Sequence, residues 1–279
     1  MALTKVLITV KTYPTLSSKY DELVCTAGFR EDGTWIRIYP ISFRRLEYDQ
    51  QYKKYQWVEV DLEKNTSDSR PESYKPKAGG HDFRMLDRIG TEKNWQARKL
   101  LVLQKIYTNL TTLITEAKDK KVCTSLAVFK PKDILDFIIK PVARTWDKDK
   151  LAALEARAQQ LNLFAHSDNP FAVVDKLPYK FSFRFTDEEN RESTMMIEDW
   201  EIGALYWNCL RRHEGNEALA CADVHKKYFD DFALTKDLHL FLGTTRQHHF
   251  VAPNPFIIIG TFHPKKEMPT TRLPTLFEL

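Results

Sequence analysis

Apolar and polar positions alternate with a period of two over residues 5–40, KVLITVKTYPTLSSKYDELVCTAGFREDGTWIRIYP, and the pattern predicts three strands. Val6, Ile8 and Val10 fall on one side of the first strand, with Lys11 and Tyr13 on the other. Glu31-Asp32-Gly33 then joins Val24–Phe29 to Trp35–Tyr39 as a hairpin, because Asp-Gly tolerates the backbone a tight turn requires. Within the second run Ile36 and Ile38 point one way, while Trp35, Arg37 and Tyr39 point the other. Gln56–Leu62 reads as a fourth strand with Val58, Val60 and Leu62 inward. Four short amphipathic strands with tight connections predict a small β-barrel of the OB, SH3-like or PUA-like kind.

Residues 63–92 show no sustained period and carry Pro71, Pro76 and Gly79-Gly80, which predicts a long polar loop. Leu103, Ile106, Tyr107, Leu110, Leu113 and Ile114 recur at helical spacing and predict one helix from Lys93 to Ala117. Val122–Phe129 reads as a strand and Pro131–Ile139 as a short apolar element. Asp147 is placed to N-cap a helix using Leu151, Leu154, Ala158 and Leu161, with a linker over 162–178. Tyr179–Phe185 is a strand with Phe181, Phe183 and Phe185 on one face, followed by helices over Ile197–His213 and Glu217–Phe232. Leu238–Gly243 and Phe256–Phe262 are apolar on both faces, as central strands of a covered sheet are. From Lys265 onward the chain reads as an extended arm. The expected class is α+β, with the N-terminal barrel over 1–92, a helical middle over 93–175, and a C-terminal α/β layer with a central hairpin over 176–279.

Composition narrows the class. The chain has 279 residues, 43% of them hydrophobic and 12% aromatic, which makes it globular. Its apolar runs fall far short of the about 20 residues that a bilayer span requires, and the N-terminus lacks a signal-peptide pattern. These features predict a bacterial cytoplasmic protein with no membrane partner. Cys25, Cys123, Cys209 and Cys221 form no CxxC pair and read as reduced core thiols. A net charge of +4 permits a polyanionic partner without demanding one.

Candidate chemistry therefore rests on local distribution. Trp35, Arg37 and Tyr39 set a cation between two rings on one strand face, which suits base stacking. In Ser42–Tyr55, Arg44, Arg45, Lys53 and Lys54 are interleaved with tyrosines, a pattern that follows a phosphate backbone while offering stacking faces, although a solvated connection would read the same way. Lys11, Tyr13, Lys19 and Tyr20 extend the nucleic-acid-binding set at the front, and Arg246 and His248 extend it at the end of the last hairpin. The polar loop after the first strand, with Ser18 and Glu22, is placed to receive a flipped base. Cleavage of an N-glycosidic bond would then call on Glu22, Asp68 or Glu72, and no spacing rule selects among them. His239, His248, His249 and His263 match no zinc spacing, so no metal is expected, nor any other cofactor. GxSxG, Walker A and GxGxxG motifs are missing.

The strings KTYPTLSSKYDELVCTAG, GTWIRIYPISFRRL and SRPES at the front, with DWEIGALYWNCLRR, DLHLFLGTT and NPFIIIGTF at the back, resemble a largely uncharacterised family of bacterial proteins associated with mobile elements and phage defence. The resemblance covers most of the chain, attaches no catalytic residue, and implies phage-related nucleic acid as the target. His263-Pro264 after a buried strand resembles the strand-end His-Pro of uracil-DNA glycosylases, whose other motifs are absent. The expected function is a DNA-binding antiviral defence hydrolase that flips and excises a modified base from phage DNA as a DNA glycosylase. The alternatives are a non-catalytic reader of modified DNA or RNA and a metal-dependent nuclease.

Overall fold

The computed structural model describes residues 3–17, 21–46, 48–77, 83–149, 151–152 and 173–267, with the backbone alone at 17, 21–23 and 45. It is a mixed α+β fold: a curled, open N-terminal half-barrel, a helical middle and C-terminal sheets. The half-barrel comprises β1 (Thr4–Lys11), β2 (Thr15–Ser17), β3 (Asp21–Phe29), β4 (Trp35–Ile41), β5 (Gln56–Val60), β6 (Leu62–Lys64), β7 (Ser73–Pro76) and β8 (Arg84–Arg88). Its order is β6-β7-β4-β3-β1-β5-β8, with β2 paired to β3. The β3–β4 hairpin turns where Asp-Gly predicted it. Gly33 has φ +79°, and the Asp32 carboxylate accepts the Thr34 N–H at 2.9 Å.

Both faces of β1 are buried over Val6–Val10, and a bulge reverses the side chains that follow it. The β1–β3 register shifts between Ile8 and Val10. One extra residue reverses which way the following side chains point. Val6 and Ile8 enter a core with Ile36, Ile38, Tyr52 and Phe83, whereas Leu7 and Val10 enter another with Phe29, Val128, Phe241 and Phe262. Val10 thus lies opposite the face that simple alternation assigned to it. The second core is shared with the C-terminal strands, so the sheet face that bears Trp35 and Arg37 is covered.

Three other expectations are corrected. The 63–92 loop contains β7 and β8, and β6 reaches into its start; β7 is held parallel to β4 through Arg37 and Ile38. Strands of three to five residues are too short to show a period. The single helix over 93–117 is two, α1 (Glu92–Val102) and α2 (Leu110–Lys118), separated by β9 (Ile106–Tyr107). Lys93, Asn94 and Trp95 have left-handed backbone inside α1, and the Asn109 side chain caps α2 by accepting from Thr112 N at 2.9 Å. The element over 131–139 is a full strand, β11 (Asp133–Pro141), paired with β12 (Tyr179–Thr186), which in turn pairs with β13 (Glu192–Met196).

The remaining sheet has the order β15-β14-β10-β9, with β10 (Leu126–Phe129), β14 (His239–Thr244) and β15 (Phe256–Phe262). β14 is interior. β15 ends the sheet, and its outer side is met by Ile197, which bridges to Ile258, and by Glu198 N–H donating to Ile258 O at 2.7 Å. Helix α3 (Trp200–Arg212) begins at its Asp199 N-cap, and α4 (Glu217–His225) continues into a π-helix over Lys226–Ala233. All four cysteines are free thiols. The helix expected after Asp147 runs into residues outside those described, as do most of the 162–178 linker and the tail beyond 267. Among the described residues no helix is long and apolar enough to cross a membrane.

Candidate functional site

The SRPES string and the loop after β14, distant in sequence, meet in one buried polar layer. Asp68 folds back on its own loop: Oδ1 accepts from Arg70 N at 3.1 Å and Nε at 2.9 Å, and Oδ2 accepts from Arg70 Nη2 at 2.6 Å and Ser73 Oγ at 2.8 Å. This twofold clamp fixes the Arg70 guanidinium, whose Nη1 donates to the Thr244 carbonyl at the end of β14. Hydrogen bonds to Arg70 and Ser73 outweigh burial and hold the Asp68 carboxyl well below the usual range.

Arg37 is 2% exposed and donates to Ser125 Oγ at 2.7 Å, Ser125 O at 3.1 Å and Ser73 Oγ at 3.4 Å. Among the described residues no carboxylate lies within ion-pairing distance of it. Its partners are neutral, although burying a cation costs several kcal/mol that a carboxylate would offset. Burial, and then the Arg70 charge, pushes the Arg37 pKa down. Glu72 joins the layer from the other side, where its Oε1 accepts the Ser125 N–H at 3.1 Å. Next to it, His249 contacts Thr244 Oγ1 through Nδ1 at 2.8 Å and Cys123 Sγ through Nε2 at 3.3 Å. Burial raises the Cys123 thiol pKa and lowers that of His249, so both are neutral.

A cavity of about 360 Å³ opens against this layer, between the half-barrel and the β14–β15 hairpin. Arg37, Arg70, Arg246, Tyr39, Thr245 and Glu198 are among its lining residues. Thr245 Oγ1 is buried there with no hydrogen-bond partner among the described residues. Burial raises the Glu198 pKa, opposed by the Lys180 charge. The pocket thus combines guanidiniums, one aromatic ring and a carboxyl biased toward its protonated form.

Arg37, Tyr39 and Arg246 are brought together here, but not as an open stacking platform. Trp35 lies 3.9 Å, centroid to centroid, from Phe29 and 5.7 Å from Phe241, inside the shared core, and Arg37 is enclosed beside it. Lys54, expected to meet phosphates, is buried: Nζ donates to Asp199 Oδ2 at 3.0 Å and Glu201 Oε2 at 2.9 Å. Lys11 points into an aromatic box, 4.4 Å from the Phe43 centroid and 5.3 Å from Trp200. Burial, with Lys54 adding to it, lowers the Lys11 pKa to about 8. Tyr13 OH donates to Asp175 O and accepts from Trp207 Nε1, both at 2.8 Å. Arg44 lines a separate cleft with Trp200 and Trp207, while Lys53 and His248 are exposed. Ser18, Lys19 and Tyr20, and the side chains of Glu22 and Arg45, lie outside the described residues.

Sequence reasoning missed Ser125 and Glu198. Nothing marks Ser125 in the sequence, and Glu198 falls within the helix expected over Ile197–His213. His249 and His263 take separate roles, His263 stacking on Phe232 at 3.6 Å. Among the described residues no three His, Cys, Asp or Glu side chains gather as a metal centre.

Fold and site together define a mixed α+β protein whose pocket is built jointly by its N-terminal and C-terminal sheets. Residues 107–278 match the family described as Domain of unknown function (DUF8757), and the chain belongs to that family. Residues 2–104 match a second family, Domain of unknown function (DUF8758). No curated protein matches the chain significantly.

Proposed function

We propose that the chain acts on nucleic acid by taking one phosphate-bearing nucleotide into the 360 Å³ pocket, and that it excises the base as a DNA glycosylase. The observation that carries this reading is Arg37, a buried guanidinium on the pocket wall that has only neutral partners. A phosphate would supply the missing counter-charge, and Arg70 and Arg246 add to the attraction. The volume falls within the range of small-ligand sites, about 300–1,000 Å³. Tyr39 offers a ring to the base.

Glu198 is the carboxyl for the chemistry. Asp68 is consumed by Arg70 and Ser73, Glu72 is tied through Oε1 to Ser125, and the Glu22 side chain lies outside the described residues. In the proposed step, water adds to the sugar C1′ as the bond to the base breaks. Glu198, held toward its protonated form, gives its proton to the departing base, which keeps the bonding pair, and the carboxylate so formed takes the proton that water sheds. The family resemblance points to modified phage DNA in a bacterial cytoplasm as the setting.

Purified protein without added metal is incubated with base-modified phage DNA and with unmodified plasmid, and abasic sites are counted. Abasic sites are expected on the modified DNA alone, lost in Glu198→Gln with binding retained, while Arg246→Ala weakens binding. Abasic sites made equally by Glu198→Gln would remove its role. The internal commitment of Asp68 and Glu72 favours a second reading, a non-catalytic reader. It gives a gel shift, sensitive to Arg246→Ala, with no abasic sites from any form.

A further inference from the structure

A second cavity, of about 530 Å³, lies among Trp35, Glu72, Tyr107, Val122, Thr124 and the β3–β4 turn, and shares no lining residue with the arginine pocket. Most of its polar side chains are already satisfied. Asp32 Oδ1 accepts from Thr34 N and Oγ1 at 2.9 and 2.6 Å, and Arg30 donates to Thr34 Oγ1 and Trp35 O at 3.3 and 3.2 Å. Thr124 Oγ1 donates to Glu116 at 3.0 Å, and Gln104 Nε2 to Leu100 O at 3.2 Å. Glu72 differs. Its Oε1 holds Ser125 N, but Oε2 is buried with no donor among the described residues. A buried acceptor left without a donor is destabilising, the more so when charged. The terminal torsion of a glutamate is broad, so a small turn of the carboxylate presents Oε2 to the cavity.

We propose that this cavity binds a nucleobase bearing an exocyclic amino group, with Glu72 accepting its N–H and the half-buried Trp35 ring, backed by Phe29 at 3.9 Å, forming one wall. An ionised carboxylate only accepts hydrogen bonds, so it rewards an amino donor and gains nothing from a ring position that lacks one. The volume fits a base with its sugar, within the span of small-ligand sites. No phosphate contact is involved, so this site is independent of the arginine pocket whether or not that pocket binds nucleotide.

The test is calorimetric titration of the full chain with adenosine and cytidine, each against its analogue lacking the amino group, all free of phosphate. The amino form of at least one pair should bind about tenfold or more tightly than its analogue. In Glu72→Gln, which keeps an oxygen for Ser125 N and turns an amide N–H₂ toward the cavity, the gap should close. No saturable binding, equal affinities within both pairs, or an unchanged gap in Glu72→Gln overturns the proposal. If Glu72→Gln does not fold, the wild-type chain still decides. In the pair that shows the gap, the N,N-dimethylated nucleoside, N6,N6-dimethyladenosine or N4,N4-dimethylcytidine, keeps the ring and loses both donors and should bind like the analogue without the amino group; binding equal to the amino form overturns the assignment. Because these probes carry no phosphate and no scissile strand, their failure leaves the abasic-site assay untouched.

Discussion

Lys54→Met should destabilise the fold through one buried carboxylate. The Lys54 side chain is 5% exposed and Asp199 is fully buried, with Nζ bonded to both Asp199 oxygens at 3.2 and 3.0 Å. Methionine fills a similar volume, so the lost term is electrostatic rather than a cavity. Stranding one member of a buried pair costs about 3–5 kcal/mol. The nearby Lys11 ammonium recovers part of this, which favours the lower end, about 3 kcal/mol, or roughly 6–12 °C in Tm for a chain of this size. Urea unfolding at pH 7 should show a lower midpoint with an unchanged slope. Acidification provides the check on cause. Burial outweighs the Lys54 attraction and raises the Asp199 pKa from 3.8 to about 6. A raised folded-state pKa means that the folded form binds the proton more tightly, so this contribution is complete below about 3.8 and lost as pH rises through about 6. Without Lys54 the pKa climbs further, and the deficit of the variant should shrink on going from pH 7 to pH 5. Adding Asp199→Asn, which keeps an N-cap side chain, should restore most of the stability at pH 7. A variant within about 1 kcal/mol of wild type at pH 7, or a deficit indifferent to pH, refutes the reasoning.

Two further outcomes test other parts of the fold. Gly28→Ala places a Cβ 2.0 Å from the Leu7 carbonyl oxygen on β1. Since neither backbone can yield without breaking the β1–β3 ladder, a loss of about 3 kcal/mol or more is expected in the same urea assay, and a neutral effect would mean that the pairing there is loose. Burial lowers the His263 pKa from 6.5 to about 4, against Phe232. Its neutral form is the one that folds, so this stability is present above 6.5 and lost as pH falls through about 4. His263→Phe should flatten the loss between those values, and an unchanged slope would assign it to other groups.

The strands carrying strong local signals were legible: the Asp32-Gly33 hairpin, and the Phe181, Phe183 and Phe185 face of β12, all three buried. What failed did so for local physical reasons. The β1 bulge turned Val10 to the other face, and the short strand Ile106–Tyr107 together with the Asn109 cap divided an expected helix. The site was half legible. SRPES and the TTRQHH loop both stood out as polar, but nothing in the sequence says that Arg70 reaches Thr244, 174 residues away. Alternation put Arg37 on the correct face, and it could not reveal that β10 and β14 lie against that face.

The packing between the two family-matched segments bears on how such a chain is inherited. Arg37 from the first closes on Ser125 from the second, Thr12 bridges to Asp199, and Leu7, Val10 and Phe29 share a core with Val128, Phe241 and Phe262. A recombination breakpoint near residue 105 would therefore deliver two unfinished products, each with one oily sheet face and half of a pocket. Swapping the front segment between related chains should succeed only where the incoming sheet matches the resident hairpin side chain for side chain.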